Sequence, residues 1–276
     1  MGGSESRPAA VSCLLDLERN PLPDELLLLV LSFVPGRALV RRCRPVCRRW
    51  RRLVDGPSLW RLRCEREGAR GRALLDALHG WAPAHLPWSR LCVLRPLGRN
   101  LLRNPCGAEG LRGWEVMHGG NGWTVEKNRK PVEGADAQTC FVSSFSWCQK
   151  QQMVDLLREG LWAELLDDPR AEIHVSDWWG AREDCGCEYA LTVQLLAADR
   201  RTELARFSVR PDPVPQWNDG TYQQVSHVFR GFGRGVRFVV FRHQGKDTLF
   251  WKGHYGARIT HSGLEVRVGP PTSEDP

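Results

Sequence analysis

The sequence predicts an α + β protein of two parts, a small N-terminal bundle of helices and a larger C-terminal antiparallel β-sandwich. The length of 276 residues corresponds to about two folded units. The period of the apolar residues changes from helical to two near Arg95, which predicts a boundary there. Charge divides the same way: residues 1–100 hold 18 Arg, no Lys and 9 acidic residues, whereas the rest hold 21 basic and 23 acidic residues.

Composition argues against a membrane-spanning or secreted protein. Hydrophobic residues make up 42% and charged residues 26% of the chain, which is typical of globular proteins. The longest apolar run, 26–31, is far shorter than the roughly 20 residues that cross a bilayer. Residues 1–10 lack the apolar core of a signal peptide. We therefore expect a cytosolic protein whose ten cysteines are reduced thiols.

The helical part begins at Pro23, because proline and the carboxylates that follow it favour the first turn of a helix. Leu26, Leu29, Val30 and Phe33 then recur at helical spacing and predict one apolar face.

Three shorter helices are predicted next. They run from about Ala38 to Arg44, from Pro45 with a stripe containing Val46, Cys47 and Trp50, and from Ser58 with Leu59, Trp60 and Leu62. Proline and glycine separate them. A bundle of about 45 residues buries little surface, so we expect it to need a partner.

The C-terminal part predicts short antiparallel strands. Apolar residues alternate along 173–177, 188–195 and 264–268, and turn signals separate the runs. The run Val236–Phe241 is apolar on both faces and predicts a central strand. One helix is expected at Gln149–Glu164, with Met153, Leu156, Leu157 and Leu161 on one side. Many short strands over about 170 residues indicate a sandwich or jelly roll.

The N-terminal motifs resemble the F-box. A Leu-Pro start, a Val-Pro break, a Cys-Arg-x-Trp core and a closing Leu-Trp occur in order, at Leu22-Pro23, Val34-Pro35, Cys47-Arg48-Arg49-Trp50 and Leu59-Trp60.

The C-terminal part is similar to the F-box-associated (FBA) domain of the sugar-recognising F-box proteins. The strings that carry this similarity are Arg99-Asn100-Leu101-Leu102-Arg103-Asn104-Pro105-Cys106-Gly107, Gln138-Thr139-Cys140-Phe141, Phe145-Ser146-Trp147-Cys148, Asp177-Trp178-Trp179-Gly180-Ala181-Arg182 and Phe250-Trp251-Lys252-Gly253-His254-Tyr255-Gly256-Ala257-Arg258. The resemblance implies a galactose-binding-like jelly roll. The expected organisation is a disordered tail at 1–19, the F-box at 20–67, a linker at 68–94, the FBA domain at 95–269 and a tail at 270–276.

This resemblance implies a non-catalytic adaptor of an SCF ubiquitin ligase, in which the F-box binds Skp1 and, through it, a cullin scaffold. The implied Skp1 contacts are Leu22, Pro23, Leu26, Val30, Leu31, Val34, Pro35, Val46, Cys47 and Trp50. From the apolar pattern alone, internal packing of the bundle explains these residues equally well, because a stripe does not show whose core it joins.

The FBA domain of the family holds the inner GlcNAc pair of N-glycans in loops at one end of the sandwich. By motif, the glycan-binding residues here are Phe145, Asp184, Phe250, Trp251 and Lys252. An aromatic face stacks on the apolar side of a pyranose, while charged groups meet its hydroxyls. Two departures matter: the family often has Tyr at Phe250, and Glu183 can take the role of Asp184 if the register shifts by one.

The sequence leaves alternative functions open. The sandwich can recognise a protein surface without sugar, as an SCF receptor of a different kind. Seven Arg at 41–52 suggest nucleic-acid binding as an alternative hypothesis. Apolar residues lie between them at helical spacing, however, which indicates a packed helix surrounded by arginines. No cofactor, metal site or catalytic motif is expected. The N-terminus fits the N-myristoylation pattern at Gly2, which would associate the chain with membranes.

Overall fold

The computed structural model describes residues 22–78 and 86–269. The chain forms two compact units that meet in sequence between Val93 and Leu94. The expected tails at 1–19 and 270–276, and the acylation signal at Gly2, lie outside the described residues. Within the described ranges, no helix has both the length and the apolar character needed to cross a membrane.

The N-terminal unit is helical, as the sequence predicts. Its helices are α1 Asp24–Ser32, α2 Gly36–Ala38 (continued by a π-helical turn, Leu39–Cys43), α3 Arg48–Asp55, α4 Pro57–Arg66, α5 Ala69–Ala77 and α6 Trp88–Leu94. Pro57 occupies the first turn of α4, where its missing N–H costs nothing. The Cys47 thiol accepts a hydrogen bond from the backbone N–H of Trp50 and so caps α3.

The core of this unit is built around Trp60, which is fully buried and donates its indole N–H to the carbonyl of Val54 at 2.7 Å. The other buried apolar side chains of α1 to α4 are Leu27, Leu31, Leu39, Leu53, Val54, Leu59 and Cys64.

The segment 68–94, expected as a linker between the two domains, contains the helices α5 and α6. α5 packs so tightly on α4 that a Cβ at Gly71 would collide with the carbonyl of Cys64. Leu78, Trp88 and Leu91 are buried. Apolar burial therefore extends the helical unit beyond the F-box motif, because these side chains complete a core that the motif alone is too short to close.

The C-terminal unit is an antiparallel β-sandwich, which confirms the predicted fold class. Its strands are β1 Glu115–Met117, β2 Thr124–Lys127, β3 Thr139–Val142, β4 Cys148–Asp155, β5 Ala171–Gly180, β6 Cys187–Leu196, β7 Glu203–Val209, β8 Gln223–Phe229, β9 Phe238–Asp247 and β10 Arg258–Val268. Sheet 1 has the order β1-β4-β9-β6-β7, and sheet 2 has the order β2-β3-β10-β5-β8.

The predicted central strand is confirmed, since β9 lies in the middle of sheet 1. The predicted helix at Gln149–Glu164 is wrong. Its first half is strand β4, and the short helix that follows, α7, spans Ala163–Leu166. The buried positions of β4 include Lys150 and Gln152. Because these core positions are polar, counting apolar residues does not detect the period of two along β4.

A fully buried carboxylate joins the two sheets. Asp177 of β5, in sheet 2, accepts hydrogen bonds from the Tyr189 hydroxyl at 2.6 Å and from the Ser262 hydroxyl at 2.7 Å. Nδ1 of His243, on β9 of sheet 1, lies 2.6 Å from the same carboxylate. Because Tyr189 also belongs to sheet 1, the bonds cross the interior of the sandwich and satisfy a group that would otherwise be costly to bury.

Lys150 lies in the same interior, inside an aromatic enclosure. Its Nζ is 3.5 Å from the ring centroids of both Trp114 and Phe141. Burial lowers the pKa of Lys150 well below its ordinary value. Trp114 also stacks on the imidazole of His243, with 4.9 Å between the ring centroids.

We expect the stability of the sandwich to fall as the pH drops from 7 to 5, because of His243. Burial, followed by the effect of Lys150, lowers the pKa of His243 from 6.5 to about 4. The unfolded chain therefore binds a proton near pH 6.5 that the folded chain refuses until about pH 4, so stability is present above this window and lost within it. The expected loss is about 2 kcal/mol.

The measurement is urea unfolding of the full chain at pH 7 and pH 5, followed by far-UV circular dichroism. His243→Gln is the control, because glutamine cannot titrate. Its free energy of unfolding should depend less on pH than that of the wild type; parallel dependences would contradict this assignment.

Candidate functional site

Three loops of the sandwich meet at one end. Arg258, the first residue of β10, pairs with the last residues of both β3 and β5, Val142 and Gly180. In sheet 1, Cys187 at the start of β6 pairs with Asp247 at the end of β9. The register of the strands thus places the β3–β4, β5–β6 and β9–β10 loops together. We call this surface the loop end; it comprises residues 143–147, 181–186 and 248–257 together with the β1–β2 loop, 118–123.

A buried carboxylate shapes the β9–β10 loop. Asp247 accepts hydrogen bonds from the backbone N–H groups of Leu249 (2.8 Å) and Phe250 (2.6 Å). Phe250 has a φ of 58°, a left-handed conformation that is rare for a residue with a Cβ. This fixed turn leaves the Phe250 side chain 71% exposed and that of Trp251 41% exposed.

A row of side chains in contact connects Trp251 to Asp184. The ring of Trp251 meets Tyr255 edge-to-face with 5.7 Å between the centroids, and the guanidinium of Arg182 lies 4.6 Å from the centroid of Tyr255. Arg182 donates two hydrogen bonds to Asp184, at 2.5 and 2.8 Å. This pairing with Arg182 lowers the pKa of Asp184 to about 2, so the carboxylate is an anionic acceptor at neutral pH.

Hydrogen bonds tie the β1–β2 loop to the same surface. The hydroxyl of Ser144 donates to the carbonyl of Gly253 at 2.6 Å and accepts from the N–H of Asn121 at 2.9 Å. The side chain of Asn121 in turn accepts from the N–H of Gly253 at 3.0 Å. These hydrogen bonds join the β1–β2, β3–β4 and β9–β10 loops to one another.

The structure brings the five sequence-predicted glycan residues to the loop end. Phe145 is half-buried, and a Cβ at Gly120 would come within 2.9 Å of its ring, so it packs against the β1–β2 loop. Lys252 is exposed beside Trp251. Glu183, the alternative to Asp184, forms an ion pair with Arg129 at 3.1 Å. Asp184 is instead paired with Arg182, which contacts Tyr255 and through it Trp251.

Sequence reasoning missed the residues that support this surface. Arg182, Tyr255 and Asp247 lie in or beside the quoted motifs, but only the structure shows that they orient Asp184 and Trp251. Sequence reasoning also missed Trp147. The guanidinium carbon of Arg210 and Nζ of Lys246 lie 5.0 and 5.3 Å from the centroid of its ring. Among the residues described, no three His, Cys, Asp or Glu side chains are grouped to hold a metal ion.

The helical unit presents a second candidate site on α1. The predicted stripe faces outward: Leu26, Leu29, Val30 and Phe33 are exposed, and Val30 is 55% exposed. The opposite face, with Leu27 and Leu31, is buried in the bundle.

The expected Skp1 contacts therefore divide by burial. The exposed ones are Leu22, Pro23, Leu26, Val30, Pro35, Val46 and Cys47, and the half-buried ones are Val34 and Trp50. Leu31 is 1% exposed, because it packs inside the bundle. It therefore lies in the core and not on the expected contact surface.

The arginine run of this unit is partly paired within the bundle. Arg49 and Arg52 both contact the carboxylate of Asp24 at 2.7 Å, and Arg44 contacts Asp55 at 2.7 Å. These ion pairs join neighbouring helices, so part of the positive charge is already balanced within the unit.

Comparison with known proteins places both units in described families. Residues 92–266 match the F-box associated region, and residues 20–66 match the F-box-like family. The chain is 60% identical over 260 residues to "F-box only protein 27" of Mus musculus, covering 92% of each chain. It is 52% identical over 280 residues to "F-box only protein 17" of Homo sapiens, covering 97% of this chain and 99% of the relative.

A helical F-box followed by an FBA sandwich defines an adaptor class: F-box proteins are adaptor subunits of SCF ligases, and those of this type act as substrate receptors. The chain belongs to the family of F-box proteins with a C-terminal FBA domain, the sugar-recognising group that its motifs resemble.

We expect Asp247→Ala to destabilise the sandwich by about 2 kcal/mol, because two backbone N–H groups of a strained turn lose their buried acceptor. Asp247→Asn is the matched control, since it keeps an acceptor oxygen of similar size and should cost less. Urea unfolding of the full chain measures both. Equal losses in the two variants would show that the acceptor does not stabilise the turn.

Proposed function

We propose that this chain is a substrate receptor of an SCF ubiquitin ligase that binds N-glycosylated, misfolded proteins through the inner GlcNAc pair of their high-mannose glycans. The observation that carries the proposal is the partly exposed indole of Trp251 on a rigid turn, joined through Tyr255 and Arg182 to an anionic acceptor. An apolar platform beside fixed polar groups is what recognition of a pyranose requires.

Each predicted residue has a distinct role in this proposal. Trp251 stacks on the C–H face of a sugar ring, while Phe250 and Phe145 supply apolar walls. Asp184 accepts hydrogen bonds from hydroxyls, and because Arg182 occupies only part of its acceptor capacity, lone pairs remain for the ligand. Lys252, the residue after Trp251, donates hydrogen bonds to sugar oxygens. Phe250 offers no phenolic hydrogen bond, so the polar contacts come from Asp184 and Lys252.

The helical unit supplies the other half of the proposed function. The exposed stripe of α1, with Leu26 and Val30, and the neighbouring Val46 and Trp50 dock on Skp1, which joins the chain to a cullin scaffold. An apolar helix face that the unit leaves exposed is suited to packing against a partner helix. In this arrangement the chain captures a substrate and catalyses nothing itself. It works in the cytosol, and membrane association depends on acylation at Gly2.

We expect Trp251→Ala to weaken binding to a high-mannose glycoprotein by roughly 30-fold or more, because the stacking platform is lost. The measurement is pull-down and titration with the full chain, with co-purification of Skp1 as the check on folding. Met153→Ala is the control: Met153 is also exposed, but it lies five residues along β4 from the loop end. Unchanged glycoprotein retention by the Trp251 variant would remove the site.

Treatment of the captured glycoprotein with a glycosidase separates the proposal from recognition of a protein surface. Under the proposal, binding is lost once the N-glycan is removed. Binding that survives deglycosylation would mean that the loop end reads polypeptide instead.

We expect Val30→Glu to abolish Skp1 co-purification while glycoprotein binding persists, because a charge then enters an apolar contact. Ala73→Glu is the matched control, since Ala73 is an exposed apolar residue of α5 outside the expected contacts. Skp1 capture that survives Val30→Glu, or is lost equally in both variants, would contradict the docking face.

A further inference from the structure

The β7–β8 loop, residues 210–222, also lies at the loop end. β8 begins at Gln223, which pairs with Trp179 beside the end of β5. Within the loop, Val214 forms a bridge with Cys187 at the start of β6. The loop therefore crosses from sheet 1 to sheet 2 directly beside the β5–β6 loop that carries Asp184.

This loop holds an indole out in solvent. Trp217 is 78% exposed and has a φ of 65°, a second non-glycine residue in the left-handed region at this end of the sandwich. The next residue, Asn218, fixes the turn by donating its side-chain N–H groups to the carbonyls of Pro215, Arg182 and Cys185 at 2.8–3.0 Å. An exposed aromatic on a clamped, strained turn points to a ligand, because folding gains nothing from the exposure.

Trp217 and Phe250 are presented in the same way, and their loops adjoin. Each ring projects from a left-handed residue beside a polar side chain that holds the backbone, Asn218 in one loop and Asp247 in the other. Gly186 packs between the two loops: a Cβ there would collide with the hydroxyl of Thr248 and lie 3.2 Å from the N–H nitrogen of the residue before Trp217. The loop that carries Trp217 thus adjoins the loop that carries Phe250 and Trp251.

A cavity of about 550 Å³ opens within the β7–β8 loop. The residues that line it include Pro211, Pro213 and Pro215, the acidic residues Asp212 and Asp219, and Asn218, which follows Trp217 in the chain. The volume lies within the range of small-molecule sites, about 300–1,000 Å³. Apolar faces next to hydrogen-bond acceptors match a ligand rich in hydroxyl groups.

We propose that Trp217 and this cavity form a second saccharide subsite, which binds a pyranose of the same oligosaccharide beyond those held at Trp251. This inference rests on the proposed glycan-binding function. A sugar fits better than an added peptide strand, because the backbone here is already paired: Val214 and Cys187 exchange both hydrogen bonds, and the N–H of Asn218 donates to the carbonyl of Glu183.

The test compares two free oligosaccharides, the GlcNAc pair alone and the same pair extended by mannose residues, in calorimetric titrations of the full chain. Trp217→Ala should weaken binding of the extended oligosaccharide about tenfold and leave binding of the GlcNAc pair unchanged. Trp217→Phe should retain most of the affinity, since it keeps an aromatic platform. Leu204→Ala, at a partly exposed position on β7, is the control and should change neither affinity.

Several results would overturn the subsite. The subsite is contradicted if Trp217→Ala weakens binding of both oligosaccharides equally, or if it leaves both affinities unchanged. If only an intact glycoprotein loses affinity while both free oligosaccharides bind as before, Trp217 contacts polypeptide rather than sugar. If the wild type binds neither oligosaccharide, the proposed function fails together with the subsite; if Trp251→Ala abolishes binding and Trp217→Ala does not weaken it, the subsite alone fails.

Discussion

The arrangement of the sandwich depends on the buried carboxylate of Asp177. Burying an ion is costly unless hydrogen bonds replace its water, and here the replacements come from both sheets, through Tyr189, His243 and Ser262. The sheets are thereby joined three residues before β5 ends and close to the starting residue of β6. Since these strand ends carry the loops, the interior network also sets where the loops stand.

Polar side chains hold the strained turns of the sandwich end in place. Left-handed backbone at Phe250 and Trp217 is unfavourable for residues with a Cβ, and polar side chains that hold the local backbone offset that cost. The aromatic rings are therefore held outward without having to rearrange when a ligand arrives. Such preorganisation reduces the entropy lost on binding, which suits the proposed recognition of a flexible oligosaccharide.

The sequence predicted the elements whose pattern is apolar and regular, and it failed where polar residues enter the core. The alternation along β5, β6 and β10 and the two-sided apolar run of β9 were sufficient to predict a sandwich. On β4, the buried Lys150 and Gln152 hid the alternation, and a helix was predicted instead. A lysine inside an aromatic enclosure is a tertiary arrangement, because Trp114 and Phe141 lie outside β4.

By itself, the sequence determined the order of the two units, the family motifs and the aromatic and charged residues of the candidate site. Only the tertiary structure decided which residues face outward and which meet. The run 26–31 is apolar at every position, so packing had to select Leu27 and Leu31 for the core and leave Val30 exposed. Likewise, strand register brings together loops that lie far apart along the chain, and register follows from pairing across the whole sheet, which no local pattern encodes.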